Sequence, residues 1–168
     1  MESLTVKSLA LTMVLAMVVA QPQGAGAAGR ATSYVNARFG YSIDYPADFL
    51  SPEREADNGD GRAFHARHGA GKVLVWGSYR DEDSEATPAA IAQLNESDCA
   101  PGKITYEVAK PKLVAFSCMS RAGGIIYQKT LVGRDVLRSV RFDYPDSERA
   151  AWEPVVKQVA GSLRTGSK

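Results

Sequence analysis

The chain has almost no charge imbalance. Its 168 residues contain 20 Lys and Arg against 19 Asp and Glu, and the two signs are interspersed. A near-neutral mixture of charges provides no electrostatic basis for binding nucleic acid or an anionic membrane surface. We therefore expect no nucleic-acid partner, and a chain of this length is expected to form one domain.

Histidine is scarce, which limits the metal sites that the chain could form. His65 and His68 are its 2 histidines. Residues three apart on an extended strand point to opposite faces, so the two cannot bind one ion unless the segment is not extended. The acidic turn at residues 57–61 (DNGDG) lacks the closing Glu of a calcium loop, since His68 stands at position 12 from Asp57. Hairpin histidines and a solvated turn are the favoured interpretations, and no metal or cofactor is expected.

Signals for a catalytic nucleophile are also missing. The sequence contains no G-x-S-x-G motif, and Gly77-Ser78 lies inside a predicted strand with neither histidine placed to activate the hydroxyl. Paired carboxylates and a phosphate-binding loop are absent as well. We expect no catalytic residue, and the chain is not expected to be an enzyme.

Only one long apolar run is present, and it lies near the start of the chain. It covers residues 9–20 after Lys7 and is followed by small residues at 24–28. A helix of about a dozen residues rises ~18 Å, short of the ~30 Å hydrocarbon core of a bilayer. The run is typical of a secretory signal peptide over residues 1–27, cleaved after Ala27; the alternative is an uncleaved anchor. We expect a periplasmic or secreted protein with no stable membrane insertion after cleavage.

The two cysteines, Cys99 and Cys118, both follow the predicted signal. In an oxidising compartment a pair of this kind favours a disulfide, here closing a loop of about 20 residues. Two buried free thiols are the alternative. The spacing is far from C-x-x-C, so it does not support a thioredoxin-type redox role.

Alternating apolar residues predict an antiparallel sheet built from hairpins. Residues 28–36 are small and polar and are interpreted as a flexible leader, and residues 165–168 as a loose tail. The predicted strands cover residues 41–45, 62–68, 72–79, 103–109, 112–120, 125–132 and 136–144. The strand at 72–79 is apolar on both faces and is therefore predicted to be central.

Two helices are predicted. Thr87-Pro88 begins the first, and Asp146 or Ser147 is expected to cap the second. Pro154 should either kink the second helix or delay its start to near Glu153. A two-residue turn at Gly133-Arg134 is expected before the last strand.

The last predicted strand has one polar residue on its core face. Val136, Val140, Phe142 and Tyr144 alternate along that face, and Arg138 interrupts them. Most aromatic residues are interpreted as core or sheet-face side chains: Tyr41, Tyr45, Trp76, Tyr79, Tyr127 and Trp152. An aromatic-lined pocket on the sheet is the alternative.

One segment carries a resemblance to a known family. Residues 39–49 (FGYSIDYPADF) resemble the aromatic-Gly-aromatic-x-apolar-x-Tyr-Pro-x-x-aromatic start of PsbP-like domains. The closing hairpin and a final helix ending in VAGSL are similar to the same superfamily, which includes photosystem II extrinsic subunits, Ran-binding Mog proteins and exported bacterial DcrB-type proteins. The resemblance implies a single α+β domain over residues 37–164, with an antiparallel sheet between helices, and roles in binding or assembly. It implies no shared catalytic motif.

Two functional hypotheses follow. The first is a non-catalytic envelope protein that acts as a binding, assembly or accessory factor, with another envelope protein as its partner. The second is a small-ligand-binding protein or weak hydrolase that uses an aromatic pocket on the sheet.

The signal peptide leads to a testable prediction. We expect the mature protein to begin at Ala28, because the Ala25-Gly26-Ala27 run fits the small-x-small pattern that signal peptidase accepts. Intact-mass measurement of protein recovered from the periplasm checks this. Recovery of the uncleaved chain from the membrane fraction would contradict it.

Overall fold

A computed structural model describes residues 31–80 and 88–166. The predicted signal peptide, residues 1–27, lies outside the described residues. The strands are β1 (Ala31–Asn36), β2 (Tyr41–Pro46), β3 (Leu50–Pro52), β4 (Gly61–Ala66), β5 (Lys72–Tyr79), β6 (Cys99–Lys110), β7 (Leu113–Ser120), β8 (Gly124–Val132), β9 (Val136–Pro145) and β10 (Arg164–Thr165). The helices are α1 (Pro88–Asn95) and α2 (Arg149–Ser162), each next to a short 3₁₀ turn.

The strands form two antiparallel sheets. The larger has seven strands in the order β3-β4-β5-β9-β8-β7-β6, and the smaller has three in the order β1-β2-β10. The α+β architecture with a mostly antiparallel sheet built from hairpins is therefore confirmed. The strand at Lys72–Tyr79 pairs on both sides, with β4 and β9, as its two apolar faces predicted. Within the described residues, no helix is long and apolar enough to cross a membrane.

The main core lies between the large sheet and a layer formed by α2 and β2. Trp152 and Val159 of α2 are fully buried against Ile43 of β2 and against Val140 of β9. On the other face of the large sheet, Ala92 of α1 packs on Val114, Val132 and Leu137. The large sheet is thus sandwiched between helices, although α1 covers only a small part of its face.

The expected flexible leader, residues 28–36, is wrong from residue 31 onward, because Ala31–Asn36 forms β1. Ala31 pairs with Pro46 and Asn36 pairs with Tyr41 along β2. Asn36 is buried, where its Nδ2 donates to Gly59 O (3.0 Å) and its Oδ1 accepts from Phe39 N (2.8 Å). A small, polar composition suggests a loop, but pairing with a distant strand can supply the backbone partners that fix it as a strand.

The chain end and one turn also differ from expectation. Thr165, placed in the loose tail, pairs with Tyr41 as part of β10. The backbone N–H of Gly133 donates to Val136 O (2.9 Å), so the two-residue turn is Arg134-Asp135, one residue later than predicted.

The second helix does not start near Glu153, which was one of its two predicted versions. It runs without interruption from Arg149, with Pro154 inside it, and its N-terminus has no side-chain capping hydrogen bond. Asp146, expected as a cap, instead accepts a hydrogen bond from Arg149 Nη2 at 2.7 Å. Pro154 is the sixth residue of α2, so the helix lacks the backbone hydrogen bond that an N–H at this position would make to Ala150 O.

Cys99 and Cys118 are joined by a disulfide, with their Cα atoms 5.8 Å apart. This distance lies within the usual 4.4–6.8 Å range. Cys118 pairs with Ile104, next to a register shift in β6 between Ile104 and Tyr106. Cys99 follows the 3₁₀ turn after α1, so the bond ties the end of that helical segment to the sheet.

We expect the double variant Cys99→Ser with Cys118→Ser to fold but to lose about 2–4 kcal/mol of unfolding free energy, since the cross-link restricts the unfolded chain. Urea denaturation of the oxidised wild type and of the variant measures the difference. Equal stabilities, or two reactive thiols in the denatured and unreduced protein, would contradict the prediction.

A second long-range interaction, an ion pair, joins β10 to β2. Arg164 Nη1 lies 2.8 Å from Asp44 Oδ2, and Ser33 Oγ donates to Asp44 Oδ1 at 2.6 Å. Because Arg164 and then Ser33 hydrogen-bond to the ionised carboxylate, they lower the pKa of Asp44.

A lowered carboxyl pKa makes a pH-dependent contribution to stability. The contribution is fully present above the unfolded-state pKa of about 3.9 and is lost as pH falls through the lower folded-state pKa. We expect Asp44→Asn to cost about 1 kcal/mol or less at pH 7 and still less at about pH 2.5. Denaturant titrations at both values measure this, with Asp57→Asn as the control because Asp57 pairs only locally with Arg54. An equal cost at both pH values would contradict the assignment.

Candidate functional site

An open groove lies between α2 and strands β6, β7 and β8. It has a volume of about 400 Å³, and we call it the tyrosine groove after Tyr106, Tyr127 and Tyr144, which line it. The remaining lining residues are Leu113, Ala115, Ser117, Lys129, Glu153, Val156, Lys157, Ala160 and Gly161.

The register of three strands explains why a groove forms here. Tyr106 pairs with Ser117, which pairs with Tyr127, so two tyrosines flank one small side chain in a single cross-strand row. Ala115 pairs with Lys129 in a neighbouring row and is also small. Small residues on β7 between larger ones on β6 and β8 leave a depression along the sheet.

Lys129 lies at the helix side of the groove. Its Nζ donates to Ala160 O at 2.6 Å, near the C-terminus of α2, where backbone carbonyls lack partners within the helix. Burial lowers the pKa of this ammonium group. No hydrogen bond joins Lys129 to Ser117 among the described residues, so the structure holds no serine–lysine dyad of the kind that activates a nucleophile.

The tyrosines are suited to binding and not to proton abstraction. Burial raises the pKa values of Tyr127 and Tyr144, so both stay neutral hydrogen-bonding groups near pH 7. Tyr144 also stacks on Trp152, with ring centroids 5.1 Å apart, which holds its ring against the helix. The groove therefore offers aromatic surface and hydroxyl groups on a rigid base.

The outer wall of the groove is the edge strand β6. Side chains on this strand are exposed along most of its length, including Ile104 (41%) and Tyr106 (49%). The other large exposed apolar side chains of the described residues, Val35 and Tyr79, lie on β1 and β5. A long edge strand with exposed apolar side chains beside a groove is an unusual feature, because sheet edges are normally short or covered.

The structure does not bring the two histidines together. His65 Nε2 contacts Glu53 Oε1, whereas His68 is exposed and lies beyond the end of β4 at Ala66. The expectation that both lie on one strand is therefore wrong. Among the described residues no group of three or more His, Cys, Asp or Glu side chains is arranged to hold a metal ion.

The predicted aromatic residues are divided between core and surface. Tyr41, Tyr45 and Trp152 are buried in the core, while Tyr127 lines the groove. Sequence reasoning did not single out Tyr106 or Lys129. The alternation of apolar residues in β6 predicted a strand, but it did not predict that this strand lies at the edge of the seven-stranded sheet.

Comparisons with known proteins bear on the fold. No family model matches the chain, and no curated protein sequence matches it. The solution structure of cyanobacterial PsbP (CyanoP) from Synechocystis sp. PCC 6803 is similar, with a TM-score of 0.57 and 13% identity over 88% of this chain and 98% of that one. A crystal structure from Bacteroides thetaiotaomicron VPI-5482 matches with a TM-score of 0.52 and 14% identity, over 84% of this chain and 50% of that one.

The chain has a PsbP-like fold. This confirms the resemblance at the level of architecture, and the finer likeness to Mog-type or DcrB-type proteins stays a prediction. At such low identity the comparisons support the fold alone.

Proposed function

We propose that the protein is an exported, non-catalytic accessory factor that binds another envelope protein along β6 and the tyrosine groove. The observation that carries this proposal is the unpaired edge of the seven-stranded sheet. The PsbP-like fold supports it through the binding and assembly roles that the resemblance implies.

The edge strand offers a backbone template for a partner. β6 spans 12 residues and hydrogen-bonds only to β7 within the described sheet. The opposite edge, β3, has 3 residues and ends in Pro52, so it offers little backbone for pairing. An extended segment can add to an edge such as β6, with its backbone bonds providing affinity and its alternate side chains providing specificity.

Charges around the groove favour an acidic partner segment. Lysines outnumber glutamates both in the groove lining, with Lys129 and Lys157 against Glu153, and on β6, with Lys103 and Lys110 against Glu107. Charge complementarity speeds association and selects among partners. We propose an extended acidic segment that places an apolar or aromatic side chain over Ala115 and Ser117.

The disulfide fits the exported location. Structural disulfides persist in oxidising compartments and are rare in the cytosol. The Cys99–Cys118 bond joins β6 to β7, so it fastens the same edge strand that the partner would use. Export to the periplasm or beyond it accounts for both the bond and the signal-like N-terminal sequence.

A small-molecule ligand is a second candidate for the groove. Its volume of about 400 Å³ lies within the range of ligand sites, and three tyrosines line it. Native mass spectrometry of protein purified from its own envelope separates the two candidates, since a bound small molecule and a bound polypeptide differ in added mass.

A matched pair of double variants tests the binding surface. We expect Ile104→Ser with Tyr106→Ser to reduce cross-linked capture of the envelope partner at least about tenfold, because apolar and aromatic anchors dominate interface energies. Quantitative mass spectrometry after cross-linking in intact cells provides the measurement.

The control variant, Val35→Ser with Tyr79→Ser, removes the same kinds of exposed side chain elsewhere and should leave capture unchanged. Denaturant unfolding of both double variants shows whether either is misfolded. Equal capture by the wild type and the β6 variant, or equal loss in both variants, would contradict the proposed surface.

A further inference from the structure

Arg138 occupies a position that the fold would normally give to an apolar residue. It lies on the core face of β9 between Val136 and Val140, and Val140 is completely buried. A charged group here requires a specific reason, because removing a guanidinium from water is costly unless it finds partners.

Among the described residues, the guanidinium group of Arg138 has a hydrogen-bond partner at Nε but not at Nη1 or Nη2. Its Nε donates to Phe39 O at 2.7 Å, in the turn between β1 and β2. No hydrogen bond or ion pair engages Nη1 or Nη2 among the described residues, and neither atom is buried. A guanidinium fixed through Nε presents its two Nη groups as the paired donors that fit a carboxylate or phosphate.

Glycines make room for this arrangement. A Cβ on Gly133 would lie 2.7 Å from Val136 O and 3.1 Å from Arg138 Nη1, whereas a Cβ on Gly40 would make only an ordinary contact with Nη2 at 3.9 Å. Gly40 also has a φ of +59°, which disfavours any side chain there. The space in front of the guanidinium is thus kept free by the two turns on either side of it.

The space is a cavity with cationic walls. Its volume is about 370 Å³, and it lies between residues 37–40 and residues 133–136, with Gly166 at its border. Arg38 and Arg134 line it together with Arg138, and Asp135 is the one acidic lining residue. Arg80 secures the 133–134 turn, donating from Nη1 to Gly133 O at 3.0 Å. Three guanidinium groups against one carboxylate give the lining a net positive charge. Arg38 Nη1 also donates to Asn58 O, and Arg134 Nε lies 3.9 Å from Asp135 Oδ1, so within the described chain Arg138 is the lining arginine with open Nη groups.

We propose that this cavity, the arginine pocket, binds a small organic anion through a phosphate or carboxylate group held by Arg138. Arg38 and Arg134 stabilise the remaining negative charge from the sides. The volume of about 370 Å³ has room for an organic part beyond the anionic group. The arginine pocket shares no lining residue with the tyrosine groove, and the inference does not depend on the proposed function.

Titration followed by nuclear magnetic resonance tests the site. Nitrogen-15-labelled protein, in the form that its host produces, is titrated with sodium phosphate, with sodium citrate and, at matched ionic strength, with sodium chloride. We expect saturable shifts of the amides of Gly40, Gly133 and Gly166 with phosphate or citrate and none with chloride. The stronger of the two responses identifies the anionic group.

Three variants assign the effect to the pocket. Arg138→Gln should weaken binding about tenfold or more, as expected for loss of a charge-assisted paired contact. Arg134→Gln should weaken it about two- to fivefold, and because this side chain is 95% exposed its removal leaves the fold intact. Arg121→Gln, an exposed arginine at the turn beyond the other end of β8, is the control and should bind like the wild type.

The outcomes separate a binding role of Arg138 from a structural one. Unchanged affinity in a folded Arg138→Gln variant overturns the proposal, whatever the affinity of Arg134→Gln. If Arg138→Gln fails to fold, unchanged affinity in Arg134→Gln overturns it alone. Shifts that follow ionic strength irrespective of the anion, or an equal loss in Arg121→Gln, also overturn it.

Discussion

The pairing of β5 with β9 is the contact on which the rest of the structure depends. It runs in register from Lys72 opposite Asp143 to Tyr79 opposite Val136 and joins two hairpins that are distant in sequence. Val73 and Phe142 are fully buried in this pairing. The packing of α2, the position of the tyrosine groove and the placement of Arg138 all follow from where β9 lies. Loss of this pairing would divide the large sheet into two incomplete halves.

Local signals in the sequence predicted most of the individual strands and helices. They did not predict which strands pair with each other. The apolar run of β5, the alternation of β9 and the turn residues between strands predicted strands and hairpins, because these signals depend on nearby residues. The pairing of β5 with β9 and that of β1 with β2 depend on long-range packing, which leaves no local pattern. This is why Ala31–Asn36, with its small polar residues, was interpreted as a leader. The delayed start of α2 near Glu153 was wrong, since the helix begins at Arg149.

The candidate site was less predictable than the fold. Tyr127 was recognisable as a sheet-face aromatic residue, but its neighbour across the groove was not. Tyr106 lies opposite Ser117 in the regular register of the hairpin that turns at residues 111–112, but the position of β6 at the edge of the sheet depends on long-range pairing. Arg138, in contrast, stood out as the polar exception on an apolar face.

The small sheet has a consequence for the order in which the domain can be completed. β2 lies between β1, at the start of the described chain, and β10, at its end. The ion pair that fastens the last strand joins residues 120 positions apart, Asp44 and Arg164. A chain emerges from a ribosome or an export channel with its N-terminal end first, so β2 keeps one open edge until almost the whole domain has appeared. An exposed strand edge can pair with other chains. The open edge of β2 in a newly emerging chain must therefore be protected from such pairing until β10, with Arg164, has emerged.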